Sequence, residues 1–219
     1  MGRNAESNKI IRDERREQIL SAALKLFAAK GLASTRASDI AAAIGISQGL
    51  VYRYFTSKEE IFTTLIREAF EKMNGACRML EALPLTPKEK VCMAVEKLLE
   101  GLVESRDAAQ YYLLIAQATA SESIPQEAKE VLQTQNREPY EVMTRIFEAG
   151  QQTGDFKLDP PEVLAQVFWT TFTGLSIYKA VHAEHFQAPS PEILLRMFIV
   201  DVEKEKSNPR KRAKTRTRS

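Results

Sequence analysis

Cysteine and histidine are scarce in this chain, with two of each among 219 residues. Cys77 and Cys92 match no redox or metal-ligand spacing, so neither a disulfide framework nor a zinc module organises the fold. A bond between them would need an oxidising compartment, to which nothing else in the sequence points. His182 and His185 flank Ala183-Glu184 at the end of a helical pattern and read as surface groups. No metal and no cofactor are expected. No run of about 18 apolar residues occurs, which excludes a membrane-spanning helix. Met1 to Glu17 is charged and lacks the apolar core of a secretory signal, so the expected location is cytoplasmic. Also missing are a nucleophile–base pair and a glycine-rich phosphate loop. Nothing motivates an enzyme.

What is present is apolar content sufficient for a sizeable core, 44% of residues, and an uneven distribution of charge. Residues 1–56 hold nine basic and five acidic side chains, residues 57–205 fifteen and twenty-four, and residues 206–219 seven basic and none acidic. The segments therefore carry +4, −9 and +7, within a total of +2. A basic head and tail around an acidic body suggest that a polyanion meets the ends of the chain. Solvated surface is the plainer reading of any single charged run.

Period-2 alternation is lacking and helical patterns recur throughout. A first helix is predicted from about Ile10 to Lys30, ended by Gly31. Thr35 caps a short helix from about Ala37 to Ile44, Gly45 makes a left-handed turn, and Ser47 caps the next helix. Ser57-Lys58-Glu59-Glu60 and Thr86-Pro87-Lys88-Glu89 both fit capping boxes. The first opens a helix to Ala82. The second opens one to Glu104, followed by another from Asp107 to Ala120. Pro139 breaks or kinks the segment Pro125–Gln152 near Asn136. Asp159-Pro160-Pro161-Glu162 opens an apolar helix to Val181, and Ser190-Pro191 opens a last one ending near Lys204. The expectation is an all-α fold of about nine helices, with a disordered tail beyond Ser207.

Two short helices joined across Gly45 and braced by the first make a helix-turn-helix, at about residues 36–55. The second, crowded with Tyr52, Arg53, Tyr54 and Phe55, is too short to be stable alone. Docked into a major groove about 12 Å wide, its leading residues Gln48, Gly49 and Leu50 face the bases, and the cap Ser47 is counted among the DNA-binding residues. Gln48 can read base edges, adenine best, and Gly49 lets the backbone approach. Tyr52, Arg53, Tyr54 and Lys58 suit phosphates, Lys58 at a helix N-terminus that itself favours an anion. Thr35, Arg36 and Ser38 offer a second set of donors. Val51, Phe55, Ile40 and Ile44 read as core, and one of the two tyrosines is expected to pack inward.

Gly31-Leu32-Ala33-Ser34-Thr35-Arg36-Ala37-Ser38-Asp39-Ile40-Ala41, then Gly45-Ile46-Ser47, Gly49-Leu50-Val51-Tyr52-Arg53-Tyr54-Phe55 and Ser57-Lys58-Glu59-Glu60-Ile61-Phe62, resemble the tetracycline-repressor (TetR) family. The resemblance covers roughly residues 10–65. Arg36 stands where that family often has a second Thr or Ser, and Leu50-Val51 replaces a common Thr-Leu. Both changes bear on base preference. The resemblance implies a homodimer with an N-terminal three-helix domain (1–56) that binds palindromic operator DNA. A larger domain (57–206) would dimerise and bind a small effector, followed by a basic tail (207–219). Effector binding would move the two recognition helices out of register with half-sites about 34–36 Å apart.

In the divergent half, Pro161–Val181 is apolar nearly all round and must be buried on more than one side. With Gly174 and the segment Ile193, Leu194, Met197, Phe198 and Val200 it is the candidate dimer interface, implied by the resemblance as a four-helix bundle. Filling of the monomer core is the alternative. Candidates to line a pocket for a hydrophobic or aromatic effector are Tyr111, Ile115, Tyr140, Met143, Phe147, Trp169, Phe172 and Thr173. The leading reading is a ligand-responsive regulator, most often a repressor, with no membrane partner. The alternatives are a helical carrier or enzyme with an unused DNA-binding fold, and an activator or nucleoid-type binder.

Overall fold

The computed structural model describes residues 2–105 and 107–200. Ten α-helices occur among them: α1 (Gly2–Lys30), α2 (Ala37–Ala43), α3 (Gln48–Tyr52), α4 (Lys58–Ala82), α5 (Pro87–Glu104), α6 (Ala108–Ala120), α7 (Gln126–Gln135), α8 (Arg137–Gln152), α9 (Pro161–Val181) and α10 (Pro191–Leu195). The one strand-like pairing among the described residues is a single bridge between Phe156 and Ile199. No described helix is long and apolar enough to cross a membrane.

Proline and its partners explain the tenth helix. Pro139 has no N–H, so the carbonyl of Gln135 four residues earlier loses its helical donor. The Asn74 amide donates to that carbonyl at 3.2 Å, and the indole of Trp169 donates to the Pro139 carbonyl at 3.1 Å. The chain therefore splits at Asn136 into α7 and α8, as its sequence implies. Thr86 and Glu89 make the full reciprocal cap of α5.

Two expectations fail at the ends. α1 begins at Gly2 rather than near Ile10, and Ile10 and Ile11 stand clear of the core at 54% and 57% exposure. At the other end, α10 stops at Leu195 and does not run to Lys204, which lies outside the described residues. The chain turns instead to pair with Phe156: Lys157 N donates to Phe198 O at 2.9 Å and Val200 N to Asp155 O at 3.0 Å. The Lys157 ammonium takes up the carbonyls of Arg196 and Met197, at 2.8 and 2.9 Å, a favourable place for a cation. The tail 207–219 also lies outside the described residues.

Packing divides into two apolar clusters. The first joins α1, α2, α3 and the start of α4, around Phe27, Ile40, Val51, Phe55 and Phe70, with Leu114 of α6 and Val131 of α7. Phe27 and Phe62 meet edge to face, 5.5 Å between centroids. The second joins α5, α8, α9 and α10 around Phe147, Phe156, Phe168 and Phe198. Met73, midway along α4, touches both. Leu194 and Phe198 belong to this second core at 5% and 1% exposure, which removes them from the candidate interface. Ile193 and Met197 remain exposed.

Close approach at Gly150 locks the second core. A Cβ there would stand 2.2 and 2.3 Å from ring carbons of Phe156, itself buried 5.1 Å from Phe147. Gly150→Ala is expected to cost about 1–3 kcal/mol, the usual cost of overpacking. A thermal melt checks it, and an unchanged midpoint would show that Phe156 can move aside.

Candidate nucleic-acid interface and ligand cavity

Gly45 sets the angle between α2 and α3. Its φ is +66°, the left-handed region that glycine enters without steric cost. The following amide, Ile46 N, reaches back to Ala41 O at 3.0 Å, and Gly45 N reaches Ala42 O at 3.2 Å. These two bonds are the Schellman ending of a helix. Ser47 then accepts from Leu50 N at 3.2 Å and starts α3. Five residues cannot hold a helix by themselves. Val51 and Phe55, 1% and 3% exposed, anchor it in the first core, with the Arg16 guanidinium 5.5 Å over the Phe55 ring.

The opposite face of α3 meets solvent. Ser47, Gln48, Gly49 and Arg53 are exposed, Tyr52 is 49% exposed and Leu50 is half-buried. Tyr54 is the tyrosine that leans inward, packed against the first core. Arg36 and Ser38 are exposed at the start of α2. There Asp39 accepts from Arg36 N at 3.1 Å and pairs with Lys30 at 2.6 Å. The Lys30 hydrogen bond, then that from Arg36, holds the Asp39 carboxyl below its usual range.

Two of the expected donors do other work. Thr35 is wholly buried, and its hydroxyl donates to Gly31 O at 2.8 Å. It closes the loop after α1, and the residue that caps α2 is Arg36, not Thr35. The Lys58 ammonium turns back from solvent to donate to Leu32 O at 2.9 Å, Thr35 O at 2.9 Å and Ala33 O at 3.4 Å. It stitches α4 to the loop before α2, and a phosphate would have to compete with three carbonyls. Beside it the capping box is half formed: Ser57 accepts from Glu60 N at 3.0 Å. Glu60 bonds the Thr56 hydroxyl at 2.7 Å rather than returning to Ser57. Lys58→Ala is expected to lower stability by about 1–3 kcal/mol, the cost of stranding partly buried acceptors. Urea denaturation reads this out, and a loss of DNA affinity with no loss of stability would return Lys58 to the phosphate-binding set.

A cavity of about 790 Å³ lies between α4, α5, α6, α8 and α9. Tyr111, Ile115, Met143 and Trp169 line it as the sequence suggests. Tyr140, Phe147, Phe172 and Thr173 do not. Phe147 and Phe172 are core, 0% and 2% exposed. Thr173 spends its hydroxyl on Trp169 O at 2.9 Å, and Tyr140 sits behind Trp169, ring centroids 6.3 Å apart. Sequence reasoning missed the α4 and α5 walls, where Ala69, Ala76, Ala82 and Ala94 leave the room that larger residues would fill. The available signal was this run of small residues on the inner side of an amphipathic helix. Cys77 also lines the wall, and burial pushes its thiol up to about 12.

The family model for "Bacterial regulatory proteins, tetR family" matches residues 19–65. The transcriptional repressor KstR2 of Rhodococcus jostii (strain RHA1) is 31% identical over 145 residues, 66% of this chain and 69% of that protein. The chain belongs to the tetR family. Its fold is that of MbdR from Azoarcus sp. CIB, with a TM-score of 0.71 at 21% identity, over 82% of this chain and 94% of that one. It is also that of SmeT in complex with triclosan, with a TM-score of 0.64 at 20% identity, covering 85% and 92%. Membership makes the chain a helix-turn-helix DNA-binding transcription regulator.

In this member of the family, α6 belongs to both halves. Tyr111, Tyr112 and Ile115 face the cavity, while Leu114 and Ala118 are buried in the first core. Gln117 donates to Ala28 O of α1 at 3.0 Å, and Ser21 of α1 donates to Asp107 at 3.4 Å.

Proposed function

We propose that this regulator is a repressor that binds a palindromic operator as a homodimer and is released when a small, largely apolar molecule fills the α4–α9 cavity. The observation that carries the reading is the sharing of α4 and α6 between the cavity and the helix-turn-helix. A ligand that spreads the cavity walls must shift α1 or α4, and α3 rides on both through the first core. Such a shift changes operator affinity only to the extent that the ligand prefers one arrangement over the other.

In this reading residues 1–56 read DNA and residues 57–206 sense the effector and dimerise. Gln48, Gly49 and Leu50 face the bases, while Arg36, Ser38, Ser47, Tyr52 and Arg53, with Tyr54 at the edge, meet phosphates and groove walls. Thr35 and Lys58 support that surface from behind. The dimer face is the outer stripe of α9, Val163, Val167, Thr170, Gly174, Tyr178 and Val181, spaced three and four residues apart along one side. Val163 is 43%, Tyr178 53% and Val181 67% exposed in the single chain. A regulator of DNA works where DNA is, and in this reading the protein acts in the cytoplasm. The repressor name of the R. jostii relative and the ligand held by SmeT support the direction and the ligand response.

The test is a band-shift titration on an operator-like palindrome with added apolar compounds, paired with transcription from the adjoining promoter. Binding that falls on ligand addition, with transcription rising, is the expected result. DNA binding that raises transcription would make the protein an activator. Small-molecule turnover without DNA retention would support the carrier or enzyme reading.

A further inference from the structure

The polar groups around the cavity are few and of one kind. Lys72 of α4 and Lys97 of α5 line it, together with the hydroxyl-bearing Tyr111 and Tyr112, and no carboxylate does. Lys97 already pairs with Glu100 at 2.6 Å, at the outer, exposed end. Lys72 is in no ion pair among the described residues, and its ammonium lies 6.0 Å from the Tyr111 ring centroid. Neither tyrosine hydroxyl is hydrogen-bonded within the described protein. Burial pushes both phenols up to about 12, so each keeps a proton to donate at neutral pH. Both lysines are exposed, and Met79 and Leu83, 74% and 37% exposed, line the cavity beside them. The cavity thus carries positive charge at its exposed rim, at Lys72 and Lys97, and phenol donors further in, at Tyr111 and Tyr112.

Resting on the reading of this cavity as the effector site, we propose that the effector is an amphipathic anion, its chain or ring system held against the alanine, methionine and tryptophan walls and its single acidic group held at Lys72. A neutral apolar ligand would leave the tyrosine hydroxyls without a partner. A cation would meet two ammonium groups on a wall that presents no carboxylate, since Glu68 and Glu100, the foremost acidic groups acting on Tyr111 and Lys97, stand outside the lining. A carboxylate and a phosphate monoester share the required chemistry, and head-group size separates them.

The experiment uses Trp169, the chain's single tryptophan and part of the cavity wall, as a fluorescence reporter. The probes are dodecanoate, dodecyl phosphate, dodecanol and dodecyltrimethylammonium, each kept below its micelle concentration. The anions are expected to bind more tightly than dodecanol, and the cation most weakly. Lys72→Gln should weaken anion binding about three- to tenfold, the range for a partly exposed charged hydrogen bond, and leave dodecanol unchanged. The more tightly bound anion names the head group. Equal binding of dodecanol and the anions, or a Lys72→Gln variant that holds anions as well as the parent, overturns the charge assignment while the cavity remains a ligand site. A variant with the cavity filled, Ala94→Trp, adds a second tryptophan and is therefore read by calorimetry. It should bind none of the probes. Undiminished binding to it, or no binding of any probe to the parent, removes the cavity as the effector site and the proposal with it.

Discussion

Gly49→Leu is expected to abolish useful operator affinity while leaving the protein as stable as before or slightly more so. The glycine lies on the exposed side of α3, and a Cβ built there meets nothing within 4 Å. Its backbone needs no glycine conformation, since the positive φ values fall at Gly31, Gly45 and Gly154. Replacing glycine inside a helix contributes about 1 kcal/mol toward stability. The free protein therefore offers no reason for glycine at this position. A bound duplex does, because a leucine side chain would stand between the α3 backbone and the base edges. The expected loss is at least about tenfold, within the 1–3 kcal/mol that one spoiled contact costs at a protein–DNA interface. Fluorescence anisotropy on a labelled operator, with a thermal melt on the same sample, separates the two effects. Full affinity in the variant would mean that α3 does not enter the groove with this face.

Phe168→Ala is expected to have the largest effect on stability. This ring is completely buried and lies at the centre of the second core. Trp169 and Phe172 are 5.2 and 5.1 Å away, and Phe198 and Phe147 are 6.0 and 6.5 Å away, between centroids. Truncating such a phenylalanine costs about 3–5 kcal/mol, because surrounding groups collapse only partly into the gap. At roughly 2–4 °C per kcal/mol for a chain of this size, the melting temperature should fall by roughly 6–20 °C. The same ring forms part of the cavity wall, so the space it vacates joins the cavity and short apolar ligands should lose contact. A loss of less than about 1 kcal/mol would show that the α8–α9 packing is not organised around this ring.

Much of this was legible in the chain because local chemistry determined it. Gly45, Ser47, Pro87 and Pro139 each forbid or favour one backbone conformation, and the helices begin and end where they dictate. The alternation of Val51 and Phe55 with Gln48, Gly49 and Tyr52 likewise shows which side of α3 is held and which is free. What the chain hid depends on distant partners. Thr35 and Lys58 have the composition of DNA contacts, and only the fold brings them against carbonyls of the α1–α2 connection. The cavity was half visible for a related reason. Aromatic side chains attract attention as pocket candidates, yet Phe147 and Phe172 fill space, and the alanines of α4 and α5 create it. The helical pattern after Ser190 continues past Leu195, but a bridge to Phe156, some forty residues away, competes successfully with continued helix.

If the exposed face of α3 enters the major groove, it reads a specific DNA sequence. Selection from a randomised duplex library by the purified 219-residue chain, run in parallel with Gly49→Leu, tests this. The parent protein is expected to enrich an inverted repeat, its half-sites about one helical turn or a multiple of it apart, and the variant none. An unenriched pool, or the same repeat recovered with Gly49→Leu, would contradict it.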